Sequence, residues 1–211
     1  MGNREDLLAG AKRCLYEKGY ARTTARDIAA ASGVSLAAIG YHFGSMEALL
    51  NAALIEAIGD WGDEIGRVLA AEGGVPFDPA ADPIERFAAI WTRVIESFAT
   101  HRQLLVASFE FFTQLDRAPD VRRALAEAFQ QGRLGLAELF QGIDSTKDEH
   151  TAWMVGSFYQ ALMTGLIAQW LAEPDRVPSG HNLADALRII ISRTEQAAQP
   201  SKGDEAADMD E

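Results

Sequence analysis

Gly33-Val34-Ser35-Leu36-Ala37-Ala38-Ile39-Gly40-Tyr41-His42-Phe43-Gly44-Ser45-Met46-Glu47 is the stretch that decides how this chain reads. Gly33 suits a tight turn that needs a positive φ, and Ser35 suits the N-cap of a short helix. That helix ends at the aromatic pair before Gly44. A turn followed by a short helix has the form of the second half of a helix-turn-helix, whose second helix enters the DNA major groove. Upstream, Thr24-Ala25-Arg26-Asp27 is close to a capping box, with Asp in place of the usual Glu, and opens a helix through Ala31. Further upstream, a helix from about Arg4 to Lys18 carries Leu7, Leu8, Ala11, Cys14 and Leu15 on its apolar face and meets a natural C-cap at Gly19. Downstream, Ser45 is placed to cap a long fourth helix, with Glu47 favoured in its first turn by the helix dipole. Helical periodicity then continues from Leu49 to about Ala71.

The rest of the chain has the same character. β-branched alternation is absent, while Ala, Leu, Glu, Arg and Gln dominate. A loop is expected over 72–79, followed by a fifth helix with Asp82 before it and Pro83 at its first position. Further helices are expected over His101–Leu115, from Pro119 to near Gly142, from after Asp144-Ser145-Thr146 to Leu171, and over Asn182–Ala197. The expectation is an all-α fold of about nine helices: a DNA-binding head over residues 1–50, a larger helical domain over 51–199, and a disordered acidic tail over 200–211.

The 211 residues suffice for a proper core, and 48% of them are apolar. Cys14 is the single cysteine, so no internal disulfide forms. No apolar run reaches the 18 or so residues of a membrane span, and no signal-peptide pattern opens the chain. A cytoplasmic protein without membrane contact is expected. The net charge of -12 is unusual for a DNA binder, but it is unevenly spread. Residues 1–50 hold Arg4, Lys12, Arg13, Lys18, Arg22 and Arg26 against Glu5, Asp6, Glu17, Asp27 and Glu47, a balance of +1 that leaves -13 for the remainder. The acid lies away from the head, which must dock through its own few cations.

Three short helices and a long connecting one resemble the TetR family of bacterial transcriptional regulators. The residues that carry the resemblance are Lys18-Gly19-Tyr20, Thr23-Thr24, Asp27-Ile28-Ala29, Gly33-Val34-Ser35, Tyr41-His42-Phe43 and Ser45-Met46-Glu47-Ala48-Leu49-Leu50. They span roughly residues 4 to 54, in order and at fixed spacing. The resemblance implies a palindromic double-stranded DNA operator, a homodimer and a small-molecule effector held in the helical body.

On this reading the DNA-binding candidates are Arg22, Thr23, Thr24, Arg26, Ser35, Leu36, Ala37, Ala38, Gly40, Tyr41, His42, Ser45 and Met46. Tyr41 and His42 resemble the family's phosphate-contacting aromatics, although His42 also fits a structural histidine. Thr24 fits a plain N-cap as well as a phosphate contact. Arg22 and Arg26 fit phosphate contacts or solvated surface charges. Two positions depart from the family pattern: Met46 stands where Lys is common, and Gly40 where an aromatic is common. The third helix also lacks Arg, Lys, Asn and Gln, the usual bidentate base readers, so methyl contacts and DNA shape must carry much of the sequence choice.

The body is rich in aromatic residues, most of them ordinary core. Trp91, Ile95, Ser108, Phe109, Phe112, Phe158 and Met163 are candidates to line a pocket for an apolar or aromatic effector, with Thr113 and Gln114 among the interleaved polar residues. Trp153, Gly156, Ser157, Gln160 and Thr164, with Leu183, Ala186, Leu187 and Ile190, are candidates for a dimer interface, against the alternative that they pack within the chain. Catalysis is not expected. His42, His101, His150 and His181 are scattered, and no Walker loop, nucleophile elbow or dinucleotide glycine pattern occurs. No cofactor or metal is expected. A ligand-independent regulator and a non-regulatory DNA-binding protein are the alternatives.

Overall fold

The computed structural model describes residues 2–71, 82–112 and 119–198. The expected loop at 72–79, Thr113, Gln114, the helix end at Leu115 and the acidic tail lie outside them. Within them the order is α1 (Asn3–Lys18), α2 (Ala25–Ser32), α3 (Leu36–Phe43), α4 (Met46–Ala71), α5 (Pro83–Ser97), α6 (Arg102–Phe112), α7 (Pro119–Gln141), α8 (Glu149–Ala172) and α9 (Gly180–Ala198). A single 3-10 turn, Pro174–Arg176, joins the last two, and the described residues contain no strand.

Local chemistry sets most of these boundaries. The Thr24 hydroxyl accepts the Asp27 N–H at 3.3 Å, and Asp27 Oδ2 accepts the Thr24 N–H at 2.9 Å. This is the expected capping box. Gly33 closes α2 in the left-handed conformation at φ 71, which costs a Cβ-bearing residue. Ser45 Oγ accepts the Ala48 N–H at 3.0 Å and starts α4. Asp82 Oδ1 accepts the Ile84 N–H at 2.8 Å, with Pro83 as the first helical residue. Ser35 differs from expectation: it occupies the N-cap of α3 with extended backbone, but its side chain makes no cap bond. Asp148 caps α8, its side chain accepting the Thr151 N–H. Asp144 accepts the Thr146 N–H and hydroxyl in a turn of its own. Helix α9 starts two residues before Asn182, because Ser179 and Asn182 cap each other across 180–182.

Helices α1 to α3 form the head around Leu7, Ala11, Leu15, Ile28 and Ile39, all buried. The expected division at residue 50 falls inside α4, so one continuous helix serves both head and body. Several side chains fasten the two together. Tyr20 donates its hydroxyl to Asn51 Oδ1 (2.7 Å), and Lys12 bridges Glu56 (2.6 Å) and Asp60 (2.7 Å). Burial pushes the Lys12 ammonium down, but Asp60 and Glu56 outweigh it and raise its pKa. His101 is buried at the same junction. Its Nδ1 lies 3.0 Å from the Ser97 carbonyl and its Nε2 3.3 Å from Glu64, and its ring meets Tyr16 of α1 and Trp61 of α4.

Two backbone contacts hold the body. At Gly156 of α8 an added Cβ would lie 1.9 Å from the Arg133 carbonyl oxygen of α7. At Gly180 it would lie 2.2 Å from the Ala88 oxygen of α5. Between these contacts runs an aromatic core in which Phe140 stacks on Tyr159 at 4.2 Å and faces Trp91 at 5.1 Å.

Candidate nucleic-acid interface

Helix α3 buries Ile39 and half-buries Ala38, His42 and Phe43, which turns Leu36, Ala37, Gly40 and Tyr41 outward. That face is apolar and uncharged. Tyr41 dominates it, with 83% of its surface exposed. The His42 ring sits edge-on against Tyr41 at 4.9 Å and limits its swing. The Arg4 guanidinium lies over the Phe43 ring at 5.1 Å and ties the start of α1 to the end of α3.

The remaining head candidates divide by burial. Ser35, Ser45, Arg22, Thr24 and Arg26 are exposed. Arg22 and Arg26 are in no ion pair among the described residues, whereas Lys12 and Lys18 are paired with acids. Arg22 Nε donates to the Lys18 carbonyl at 2.8 Å, which holds the side chain at the end of α1. Met46 is half-buried against the core. Thr23 is buried, and its hydroxyl donates to the Gly19 carbonyl at 2.8 Å, so it shapes the turn between α1 and α2 and presents nothing to solvent. Thr24 donates its hydroxyl to Asp27 at 2.6 Å, so a phosphate would have to compete with that carboxylate.

Asp27 is held to a pKa of about 2 by Lys18, 2.5 Å away, and then by Thr24. Its folded value lies below its ordinary one, so its contribution is complete above about pH 4 and is lost as pH falls toward 2. Asp27→Asn is therefore expected to flatten the loss of thermal stability between pH 4 and pH 2 relative to the parent. Parallel melting curves across that window, with equal slopes for both chains, would show that Asp27 is not so coupled.

In the body, Trp91 is fully buried between Phe87 and Phe140. Ile95 and Met163 pack against that core, and Ser108 donates to the Leu105 carbonyl of its own helix. Phe109 meets Phe112 at 6.2 Å, and Phe112 meets Phe129 at 6.0 Å. Phe112 and Phe129 wall an open groove of ≈ 400 Å³ between α6, α7 and α8. Ser157, Gln160 and Thr164, expected at a dimer interface, line this groove, together with Arg133, Ala161 and Gly165. Gly156 is committed to α7 within the chain. Phe158, expected in a pocket, is 54% exposed on the outside of α8. Leu183 and Leu187 are half-buried against the chain's own core, while Trp153, Ala186 and Ile190 are exposed. A second groove, ≈ 670 Å³, lies between Leu8 of α1, Ile55 of α4 and Ala128 of α7. Arg133, Ala161 and Gly165 were not expected, because no periodicity marks a residue that faces a groove.

The comparisons with known proteins agree with this architecture. Residues 7–53 match the family described as bacterial regulatory proteins, tetR family, and residues 82–193 match the tetracyclin repressor-like C-terminal domain. The second match alone spans more than half of the chain. The chain belongs to the TetR family. It is accordingly a DNA-binding transcriptional regulator of the helix-turn-helix type.

Among its relatives, the HTH-type transcriptional regulator TtgR of Pseudomonas putida is 27% identical over 188 residues, 82% of each chain. The HTH-type transcriptional repressor AcnR of Corynebacterium efficiens is 43% identical over 49 residues, 23% of this chain and 26% of that one. The crystal structure of the multidrug binding protein EbrR with proflavin superposes with a TM-score of 0.59 at 23% identity, covering 91% of this chain and 99% of that one. It shows the shared TetR-family fold. No helix among the described residues is long and apolar enough to cross a membrane.

Proposed function

We propose that this TetR-family chain is a dimeric repressor that acts in the cytoplasm, binds a palindromic operator and is released by a small, largely apolar effector. The observation that carries the DNA half is the outward face of α3, with Tyr41 almost fully exposed and no acidic side chain in the helix. Tyr41, His42, Arg22 and Arg26 are assigned to phosphates. Leu36, Ala37 and Ala38 are assigned to thymine methyl contacts, with DNA shape supplying the remaining choice. With so few cations, the salt dependence of binding should be shallow. A fluorescence anisotropy titration with the DNA upstream of its own gene tests this: sequence-preferring binding with a shallow salt dependence is expected. Equal affinity for every duplex would leave a non-specific DNA binder.

The dimer is assigned to the outer faces of α8 and α9. Met154, Phe158 and Ala168 lie exposed on the solvent side of α8, beside the groove. Ala186, Ile189 and Ile190 lie exposed on α9, with Ile190 61% exposed. So large an apolar face on one chain marks an interface. Two-fold pairing would set the two α3 helices about one DNA turn apart. Phe158→Glu with Ile190→Glu is expected to give a monomer in sedimentation with at least tenfold weaker operator binding. A monomeric parent would overturn the assignment.

The effector half is supported by the α6–α8 groove and by the multidrug-binding description of the structurally similar EbrR. Release requires the effector to bind the DNA-incompetent state better. Movement of α6 would reach the head through His101, which touches both α1 and α4. A ligand-independent repressor would show no saturable stabilisation in a thermal-shift screen of small apolar compounds.

A further inference from the structure

We propose that the groove between α6, α7 and α8 selects small apolar carboxylates, with Arg133 as the anchor of the carboxylate. The inference rests on the effector reading of the body and adds the charge of the ligand. It starts from an imbalance. The chain carries 31 acidic residues against 19 basic ones, yet half-buried Arg133 is within ion-pair distance of no carboxylate among the described residues. Its one hydrogen bond among them runs from Nε to Gln160 Oε1 at 3.0 Å. The two Nη groups are left to serve a ligand, and an arginine fork matches a carboxylate through two parallel bonds.

The site around it is built to hold that fork still. The Arg133 backbone is clamped where Gly156 lets α8 approach α7, and the Gln160 amide fixes the Nε edge of the guanidinium. The neighbouring hydroxyls donate elsewhere: Ser157 to the Trp153 carbonyl at 2.7 Å and Thr164 to the Gln160 carbonyl at 2.9 Å. Arg133 is thereby the charged donor of a groove otherwise walled by Phe112, Phe129, Ala161 and Gly165. Two phenyl walls and ≈ 400 Å³ suit a flat apolar body of one or two rings. A cation would meet the guanidinium unscreened by any carboxylate among the described residues, so the groove prefers anions although the protein as a whole is strongly acidic.

The test uses three ligands of one shape: 2-naphthoate, 2-naphthamide and 2-naphthylmethylammonium. They are titrated calorimetrically into the full-length chain, and the DNA affinity is measured in the presence of each. The carboxylate is expected to bind at least about tenfold tighter than the amide, with the ammonium weakest, as for a charge-assisted pair. Arg133→Gln is expected to abolish the preference and Arg133→Lys to keep part of it. A near-ultraviolet circular dichroism spectrum like the parent's, sensitive to the Phe140–Tyr159 contact, verifies that α7 and α8 still pack in each variant. A carboxylate that binds no tighter than the amide, a preference that survives Arg133→Gln, or no binding of any of the three at millimolar concentration overturns the proposal. The two readings fail separately. If the amide or ammonium releases DNA and the carboxylate does not, the effector reading stands and the role of Arg133 falls. If the carboxylate binds through Arg133 and DNA affinity does not change, the charge selection stands and the effector reading falls.

Discussion

Replacing Gly156 with alanine is expected to destabilise the folded chain by about 3 kcal/mol. For a chain of this length that is a fall of roughly 10 °C in the melting temperature. The new Cβ would lie 1.9 Å from the Arg133 oxygen, 2.5 Å from its carbonyl carbon and 2.8 Å from its Cα. All three are backbone atoms of α7, so no rotamer change relieves the clash, and α8 must move outward as a unit. That movement strains the Phe140–Tyr159 stack and the hydrogen bond from Gln141 Nε2 to the Tyr159 hydroxyl, both of which join the same two helices. Gly132→Ala is the control. Its Cβ would meet nothing within 4 Å, and a mid-helix alanine is expected to add up to about 1 kcal/mol. Thermal denaturation of the two variants beside the parent checks both signs. A Gly156→Ala chain that melts with the parent would show that the α7–α8 approach is looser than the structure has it.

Gly156 also shows what the sequence conceals. A small residue among Trp153, Ser157, Gln160 and Thr164 reads as a close helix crossing, and close helix crossing it is, but nothing in the spacing says whose helix is crossed. The same ambiguity hides Gly10, whose Cβ would meet Ser32 at 2.8 Å where α1 crosses α2, and Gly180 against α5. Helix α8 is apolar nearly all round, so its pattern carries no phase. The stripe expected at a dimer interface lies on the α7 side of the exposed Met154–Phe158 face. Residues with local chemistry were legible. The Thr24–Asp27 box, Gly33, Ser45 and Pro83 act on backbone a few residues away, so their effect is written beside them. Thr23 and Thr24 mark the limit of that legibility. They are adjacent and chemically identical, yet one turns inward to the Gly19 carbonyl and the other outward to cap α2, a difference set by the turn between two packed helices.

Tyr41→Ala is expected to weaken operator binding at least about a hundredfold while leaving the dimer and the fold intact. In the proposed two-fold dimer each α3 would contribute one Tyr41 hydroxyl to a phosphate. A hydrogen bond to a charged group is worth about 1.5 kcal/mol or more, and two are lost together. Few other contacts compensate, because α3 offers no Arg, Lys, Asn or Gln and Met46 supplies no charge. With 83% of its surface exposed, Tyr41 contributes little to the core, so its truncation should change stability by no more than about 0.5 kcal/mol. Tyr41→Phe separates the two parts of the side chain. If the hydroxyl holds a phosphate, the phenylalanine chain loses nearly as much as the alanine chain. If the ring packs on sugar or on a thymine methyl, it binds almost as well as the parent. Anisotropy titrations of all three chains, with sedimentation to verify the dimer, decide between these. A Tyr41→Ala chain with parental affinity would move the DNA contact off the outward face of α3 and onto Arg22, Arg26 and the exposed backbone at the start of α2.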